Sequence, residues 1–271
     1  MKSLSRMTLR MIKKRFLVRY VTVRVVAVLS LLCLSACAGI EVPEDFQYKE
    51  VYTKKFTLAS WQKITNPKAP FKIYIEGDGF AFDAYGRPTA NPTPRGKMIR
   101  EVAFADPAPN VVYLARPCQF VKDDPMCDVR YWTSARFAPA VIDSSCEAVG
   151  LIAGNSPVTL VGYSGGGMVA GLLSITCPII NLREVVTVAG NLDHVTWTRM
   201  ENLTPLNESM NLADYKKKFA NVPQRHYVGA KDDVVPYGVT MAVVGDRRKV
   251  KVVPGASHYD GFQGIYPEIW N

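Results

Sequence analysis

The sequence is poor in histidine and in metal-binding patterns. Among 271 residues there are three histidines, His194, His226 and His258, and no His/Cys spacing of the zinc type surrounds them. No G-x-G-x-x-G stretch occurs either, which removes the usual sign of a dinucleotide site. Neither a metal nor an organic cofactor is therefore expected. Internal repeats and low-complexity tracts are also missing. Acidic residues are absent from residues 1–36, which carry Lys2, Arg6, Arg10, Lys13, Lys14, Arg15, Arg19 and Arg24. Eight of the nine net positive charges thus sit in that segment, and the rest of the chain nets to +1. The basic pI is a property of the leader and gives no reason to expect a nucleic-acid partner. Finally, the chain has no long apolar run. The uncharged stretch from Val25 to Ile40 spans 16 residues, short of the roughly 20 that a membrane-spanning helix needs.

What the leader does contain is a basic n-region, an apolar run from Val25 to Leu34 and then small residues, the pattern of an export signal. Its end, Leu34-Ser35-Ala36-Cys37, resembles the lipobox of bacterial lipoproteins. The n-region is long for such a signal, with Met7 and Met11 as alternative starts. The resemblance implies cleavage before Cys37, a lipid on its thiol, and a membrane partnership through that anchor. Ala38 is not the aspartate that retains such proteins in the inner membrane, so the implied location is the outer membrane, facing the periplasm. Beyond Cys33 and Cys37 remain Cys118, Cys127, Cys146 and Cys177, an even number that suggests disulfides in an exported chain. Of three possible pairings, Cys118–Cys127 would staple one loop, and Cys146–Cys177 would tie the helices flanking the strand at Val158. That pairing is the expected one.

The length suits one domain with a full core, expected over residues 49–271 after a tether at 37–48. Strands are expected at Val51–Leu58, Phe71–Ile75, Asn110–Leu114, Val158–Val161, Glu184–Val188, Arg225–Val228 and Val250–Val253. Helices are expected at Arg95–Ala105, Pro139–Ile152, behind Ser164, at Leu212–Phe219, Tyr237–Val244 and Phe262–Trp270. Strands alternating with helices imply an α/β fold with a mostly parallel sheet covered on both faces. Sites in such sheets form at the carboxyl ends of the strands.

The stretch that carries chemistry is Pro157 to Met168, PVTLVGYSGGGM. A β-branched run leads into Gly162-Tyr163-Ser164-Gly165-Gly166, a G-x-S-x-G match, and then into helical spacing at Met168, Val169, Leu172 and Leu173. Strand, tight turn and helix make the context of a nucleophile elbow, with Ser164 at its apex. A Gly-rich turn that merely packs, or cradles a phosphate, is the plainer reading, and the rest of the chain decides against it. Such a serine is followed in the chain by an acid and then a histidine. His258, in a turn after the last strand, fits that order. His194 would have no strand-end acid before it, and His226 lies inside a strand.

With these residues assembled, the chain resembles the α/β-hydrolases of the serine esterase and lipase type, from about Val51 to Trp270. Gly229-Ala230-Lys231-Asp232-Asp233-Val234-Val235-Pro236 resembles the G-x-x-D-x-x-V-P signature of the triad acid, which implies Asp232 over its neighbour Asp233, with Asp193 as an outside candidate. Glu76-Gly77-Asp78-Gly79 resembles the family's H-G-x-G, with glutamate in place of histidine. It implies an oxyanion hole from the N–H of Gly165 with that of Asp78 or Gly79. Arg116-Pro117-Cys118-Gln119, Gly162–Gly167 and Val188–Asp193 resemble a group of proteobacterial hydrolase-fold lipoproteins.

The implied activity is hydrolysis of a small-molecule or lipid-like ester through an acyl-enzyme, with Ser164, His258 and Asp232 as the triad. A peptidase or acyltransferase on the same triad, or an envelope binding lipoprotein without turnover, are the alternatives. Only a small cap fits between Gly190 and Gln224. The pocket walls are expected from the Ala81–Pro94 and Cys118–Cys127 loops, with Trp132, Phe137 and Trp197 as lining aromatics. The run Lys216-Lys217-Lys218 reads as a solvated helix face.

Overall fold

A computed structural model describes residues 41–121 and 123–271. The leader and Cys37 lie outside the described residues. The chain divides into residues 1–43 and a compact unit, Glu44–Asn271, and it is the second that carries the elements below.

Eight strands form one sheet: β1 Gln47–Tyr52, β2 Thr57–Ile64, β3 Phe71–Ile75, β4 Asn110–Leu114, β5 Val158–Tyr163, β6 Leu182–Val188, β7 Gln224–Gly229 and β8 Val250–Val253. Their order is β1-β2-β4-β3-β5-β6-β7-β8. β2 is antiparallel to both its neighbours, and every pair from β4 through β8 is parallel. Parallel strands need both faces covered, and β3, β4, β5 and β6 are accordingly rich in buried Val, Ile and Leu.

Among the described residues, seven α-helices connect or flank them: α1 Met98–Ala105, α2 Pro139–Ala153, α3 Gly165–Thr176, α4 His194–Met200, α5 Lys216–Phe219, α6 Tyr237–Val244 and α7 Tyr266–Trp270. The crossover from β3 through α1 to β4 runs one way along the sheet. Those through α2, α3 and α6 run the other. Right-handed crossovers then place α1 on one face and α2, α3 and α6 on the opposite one. Two contacts agree with this: the Cys146–Cys177 disulfide joins α2 to the end of α3, and the Trp270 indole of α7 donates to the Val102 carbonyl of α1 at 3.2 Å. The second disulfide joins Cys118 to Cys127.

Several local expectations are corrected. The alternation over Val51–Leu58 belongs to two strands. The Thr53 hydroxyl accepts from the Phe56 N–H at 3.1 Å, and this turn folds the segment into the β1–β2 hairpin. Phe46 and Gln47, expected in a tether, belong to the compact unit, with Phe46 packed against Phe104 at 4.7 Å. The helix expected from Arg95 begins only at Met98, beyond Pro94 and Gly96. Leu212–Phe219 and Phe262–Trp270 each open with a 3₁₀ turn, Leu212–Tyr215 and Gln263–Ile265, before α5 and α7. Helix α4 was not expected. It is started by Asp193, whose carboxylate accepts from the N–H groups of Val195 and Thr196, both at 3.1 Å.

Candidate active site

The order of strands reverses between β3 and β5, which lie side by side with Ile75 opposite Gly162. A crevice therefore opens at their carboxyl ends. Ser164 stands there, between the last residue of β5 and the first of α3, with φ 51° and ψ −122°. A non-glycine residue in this region is strained. The turn around it is held by bonds that leave the side chain alone. The Ser164 N–H donates to the Val188 carbonyl at 3.1 Å, and the Ser164 carbonyl accepts from Gly167 and Asn191, both at 3.0 Å. The flanking glycines follow from crowding: a Cβ on Gly162 would run into the Gly166 carbonyl, and one on Gly166 into the carbonyls of Ile75 and Glu76.

The Ser164 Oγ lies 3.0 Å from His258 Nε2. His258 Nδ1 lies 3.0 and 3.1 Å from the two carboxylate oxygens of Asp232. Asp232 is itself fixed, since its Oδ1 accepts from the N–H groups of Val234 at 3.0 Å and Val235 at 2.8 Å. His258 and Asp232 are buried, Ser164 is half-buried, and Asp233 is exposed. The Tyr163 ring lies 5.4 Å from the imidazole, and its hydroxyl donates to the His258 carbonyl at 3.1 Å.

The other candidates lie elsewhere. Asp193 is spent on capping α4, accepting in addition from Asn211 and the Thr196 hydroxyl. His226 is buried in β7 between the Thr187 hydroxyl and the Gln224 carbonyl oxygen, at 2.7 and 3.0 Å. Burial pushes its pKa down to about 3. His194 is buried at the start of α4, stacked on Phe137, beside a separate cleft of about 490 Å³.

The segment after β3 is organised by two buried carboxyl groups. Glu76, standing where the family pattern has histidine, accepts from the Tyr113 hydroxyl at 2.5 Å and the Gly77 N–H at 2.8 Å. Burial raises its pKa, with those two donors opposing. Asp78 meets two guanidinium groups, Arg116 Nη1 on Oδ1 and Arg136 Nη1 on Oδ2, each at 2.5 Å. Burial alone would raise the Asp78 carboxyl, yet the two arginines hold it below the usual carboxylate range. Its Oδ1 sits where a Cβ on Gly165 would be, so this carboxylate packs against the first residue of α3. The Gly165 N–H, opening a helix, has no intrahelical acceptor. Gly79 takes φ 68°, and a Cβ there would strike the Pro92 carbonyl.

Around the serine lies a cleft of about 620 Å³. The Ala81–Pro94 loop and its continuation to Met98 form one wall, as expected in part, and Trp197 and Tyr259 contribute aromatic surface. The Cys118–Cys127 loop and two expected aromatics do not line it. Phe137 is fully buried beneath the Arg116 guanidinium, 4.8 Å from its ring centroid. Trp132 braces the wall from behind, donating from its indole to the Thr89 carbonyl at 3.0 Å. Sequence reasoning assigned no site role to Arg116, Arg136 or Asn191. A charged residue two positions beyond β4 was the available signal for Arg116. Among the described residues, no group of three or more His, Cys, Asp and Glu side chains is placed to hold a metal ion.

No protein-family model matches the chain, and no curated protein matches it. Solved structures do match over most of its length. An esterase from Pyrococcus furiosus is 15% identical, covering 86% of this chain and 91% of its own, with a TM-score of 0.56. The esterase domain of a Rhodothermus marinus protein is 12% identical, covering 83% and 94%, also at 0.56. A membrane phospholipase A, described as a bacterial virulence factor, is 14% identical, covering 95% and 94% at 0.54. At such identities the likeness is one of architecture, and the chemistry has to be argued from the residues.

Proposed function

Because the chain has the α/β-hydrolase fold, we propose that it is a serine hydrolase that cleaves carboxylic esters through an acyl-enzyme. The observation that carries this reading is the continuous line of contacts from Ser164 through His258 to Asp232. His258 Nε2 is positioned to take the serine proton as Oγ attacks the ester carbonyl, and then to deliver it to the departing alcohol. Asp232 accepts a hydrogen bond from Nδ1–H, which fixes the tautomer and stabilises the imidazolium. Its two backbone donors keep it from turning away. The Gly165 N–H, with that of Asp78 or Gly79, would hold the tetrahedral oxyanion. The Asp78 carboxylate beside that hole would oppose a developing negative charge, and Arg116 and Arg136 offset it. Water entering by the same route hydrolyses the acyl-enzyme, with His258 again as base. The esterases and the phospholipase that share the fold act on the same class of bond by their descriptions.

The test is labelling of the domain following Cys37 by a fluorophosphonate. Labelling of the wild-type domain, its loss in Ser164→Ala and strong weakening in His258→Ala are expected. A folded wild type that takes no label would instead favour a binding protein on a hydrolase scaffold.

The lipobox resemblance of Leu34–Cys37 supports a second element of the proposal. Residues 1–36 would be a cleaved leader, Cys37 would carry lipid, and the hydrolase domain would face the periplasm from the outer membrane. Cys37→Ser should abolish incorporation of labelled palmitate and release the protein from the membrane fraction. Retention in the outer membrane without palmitate would refute it.

A further inference from the structure

The cleft wall facing Ser164 contains more cationic groups than its carboxylates neutralise. Arg116 and Arg136 have side chains only 5% exposed and share the single carboxylate of Asp78. Burying a charge is costly unless it is paired, and here two are buried on one partner. Their remaining bonds go to neutral groups: Arg116 Nη2 to the Arg136 carbonyl, and Arg136 Nε to the Thr133 carbonyl at 2.9 Å. Arg116 Nε has no partner, and Arg136 Nη2 has no acceptor among the described residues.

The other acids of the cleft are already committed. Glu76 is held by Tyr113 and Gly77 and feels the charges of Arg100 and Arg116, but it makes no ion pair with Arg136. Asp83 is bound by Arg87 at 2.7 Å. At the rim, Arg95 is exposed and lies over the Phe80 ring, with its guanidinium carbon 3.4 Å from the centroid, and it has no carboxylate partner among the described residues. Arg95 and Arg136 therefore face one cleft with the nucleophile, alongside apolar surface from Phe80, Phe82 and Trp197.

From this we infer that the substrate is an ester that also bears an anionic oxyacid group, a carboxylate or a phosphate, received by Arg136 and Arg95. The inference rests on the serine hydrolase reading for the site, and it assigns that site its substrate class. Guanidinium groups suit such anions because their bonds to an oxyacid are charge-assisted, two parallel ones being open to the exposed Arg95 and the free Nη2 supplying those of Arg136. The apolar surfaces suit the hydrocarbon between the ester and the charge. Asp78 has a second use here, because it holds Arg136 in place while leaving Nη2 free.

The experiment has a binding arm and a turnover arm. Calorimetry on Ser164→Ala compares monomethyl adipate with methyl hexanoate for the carboxylate, and 1-hexanoylglycerol 3-phosphate with 1-hexanoylglycerol for the phosphate. Turnover by wild type compares the p-nitrophenyl monoester of adipic acid with p-nitrophenyl hexanoate. A charge-assisted bond predicts about tenfold or greater preference for the anion in at least one binding pair. That preference should drop severalfold in the exposed variant Arg95→Gln, added to Ser164→Ala, and further with Arg136→Gln. In turnover, kcat/KM should favour the same class. Equal binding within both pairs overturns the inference, whatever the turnover. Tight anion binding without turnover of any ester upholds the recognition and sinks the hydrolase reading instead.

Discussion

The cleft has two sides built on different principles. The floor consists of Ser164, Asp232 and His258, each just beyond the carboxyl end of a strand: backbone bonds hold Ser164, loop N–H groups hold the Asp232 carboxylate, and the Tyr163 hydroxyl holds the His258 carbonyl. The wall consists of the Ala81–Met98 segment and the Asp78–Arg116–Arg136 cluster, where side chains hold one another and loops supply the backbone. The floor needs atoms fixed to a few tenths of an ångström, and a parallel sheet provides that. The wall needs to match a particular substrate, and loops can vary while the sheet is kept. On the proposed reading, the molecule separates reaction from recognition.

The largest effect should come from the floor. Ser164→Ala should lower esterase kcat by at least about 10³-fold while leaving the far-ultraviolet spectrum unchanged. Next, Asp232→Asn should cost about 10²–10⁴-fold by disturbing the imidazole tautomer, whereas Asp233→Asn stays within about twofold. Equal losses in the two variants would show that the register of the acid is wrong. On the wall, Asp78→Asn would leave two buried guanidiniums without a counter-charge. It should destabilise the fold by about 3 kcal/mol, read from urea unfolding. The same pair gives a pH dependence. The Asp78 carboxyl is depressed in the fold, so its contribution is present above the usual carboxylate pKa and fades as pH falls below it.

Cys118→Ser/Cys127→Ser opens a nine-residue separation and should cost about 2–3 kcal/mol, against about 3–4 for Cys146→Ser/Cys177→Ser with a separation of 31. A larger loss from the first pair would mean that the wall depends on its staple more than chain entropy predicts. The last effect is graded with pH and concerns the buried histidine of β7. His226 stays neutral in the fold down to about pH 3, while the unfolded chain binds a proton below about pH 6.5. Stability should therefore decline from pH 6.5 toward pH 3 by at most about 1.4 kcal/mol per pH unit from this group, and His226→Gln should flatten that slope.

The same division explains what could be read from the chain. β3 and β4 begin and end where the apolar runs do, and β5, β6 and β7 differ by a residue or two, because burial leaves a continuous apolar signal; β8, a partly exposed edge strand, is marked by its valines alone. Ser164, Asp232 and His258 are legible because strand ends are legible, and their order along the chain is fixed by the fold. Arg136 gives no comparable signal. It lies in an irregular stretch, 58 residues from Asp78, and nothing local says that the two meet. Phe137, expected to line the pocket, is instead sealed into the core with the guanidinium of Arg116 over its ring, a contact 21 positions away along the chain. Helix α4 was missed although its cap, Asp193 to Val195 and Thr196, is local, because its seven residues are too few to show an apolar periodicity.

The backbone at Ser164 carries a further consequence. At φ 51° and ψ −122° the fold would be better served by a residue with no side chain. At the position proposed as the nucleophile the chain therefore keeps an amino acid that its own architecture disfavours, at a standing cost on the order of 1–3 kcal/mol. Reactivity and durability pull in opposite directions at this position. A dead Ser164→Gly protein should outlast the living one on heating, and the margin by which it does so, relative to Ser164→Ala, would measure what the chain gives up to hold a nucleophile there.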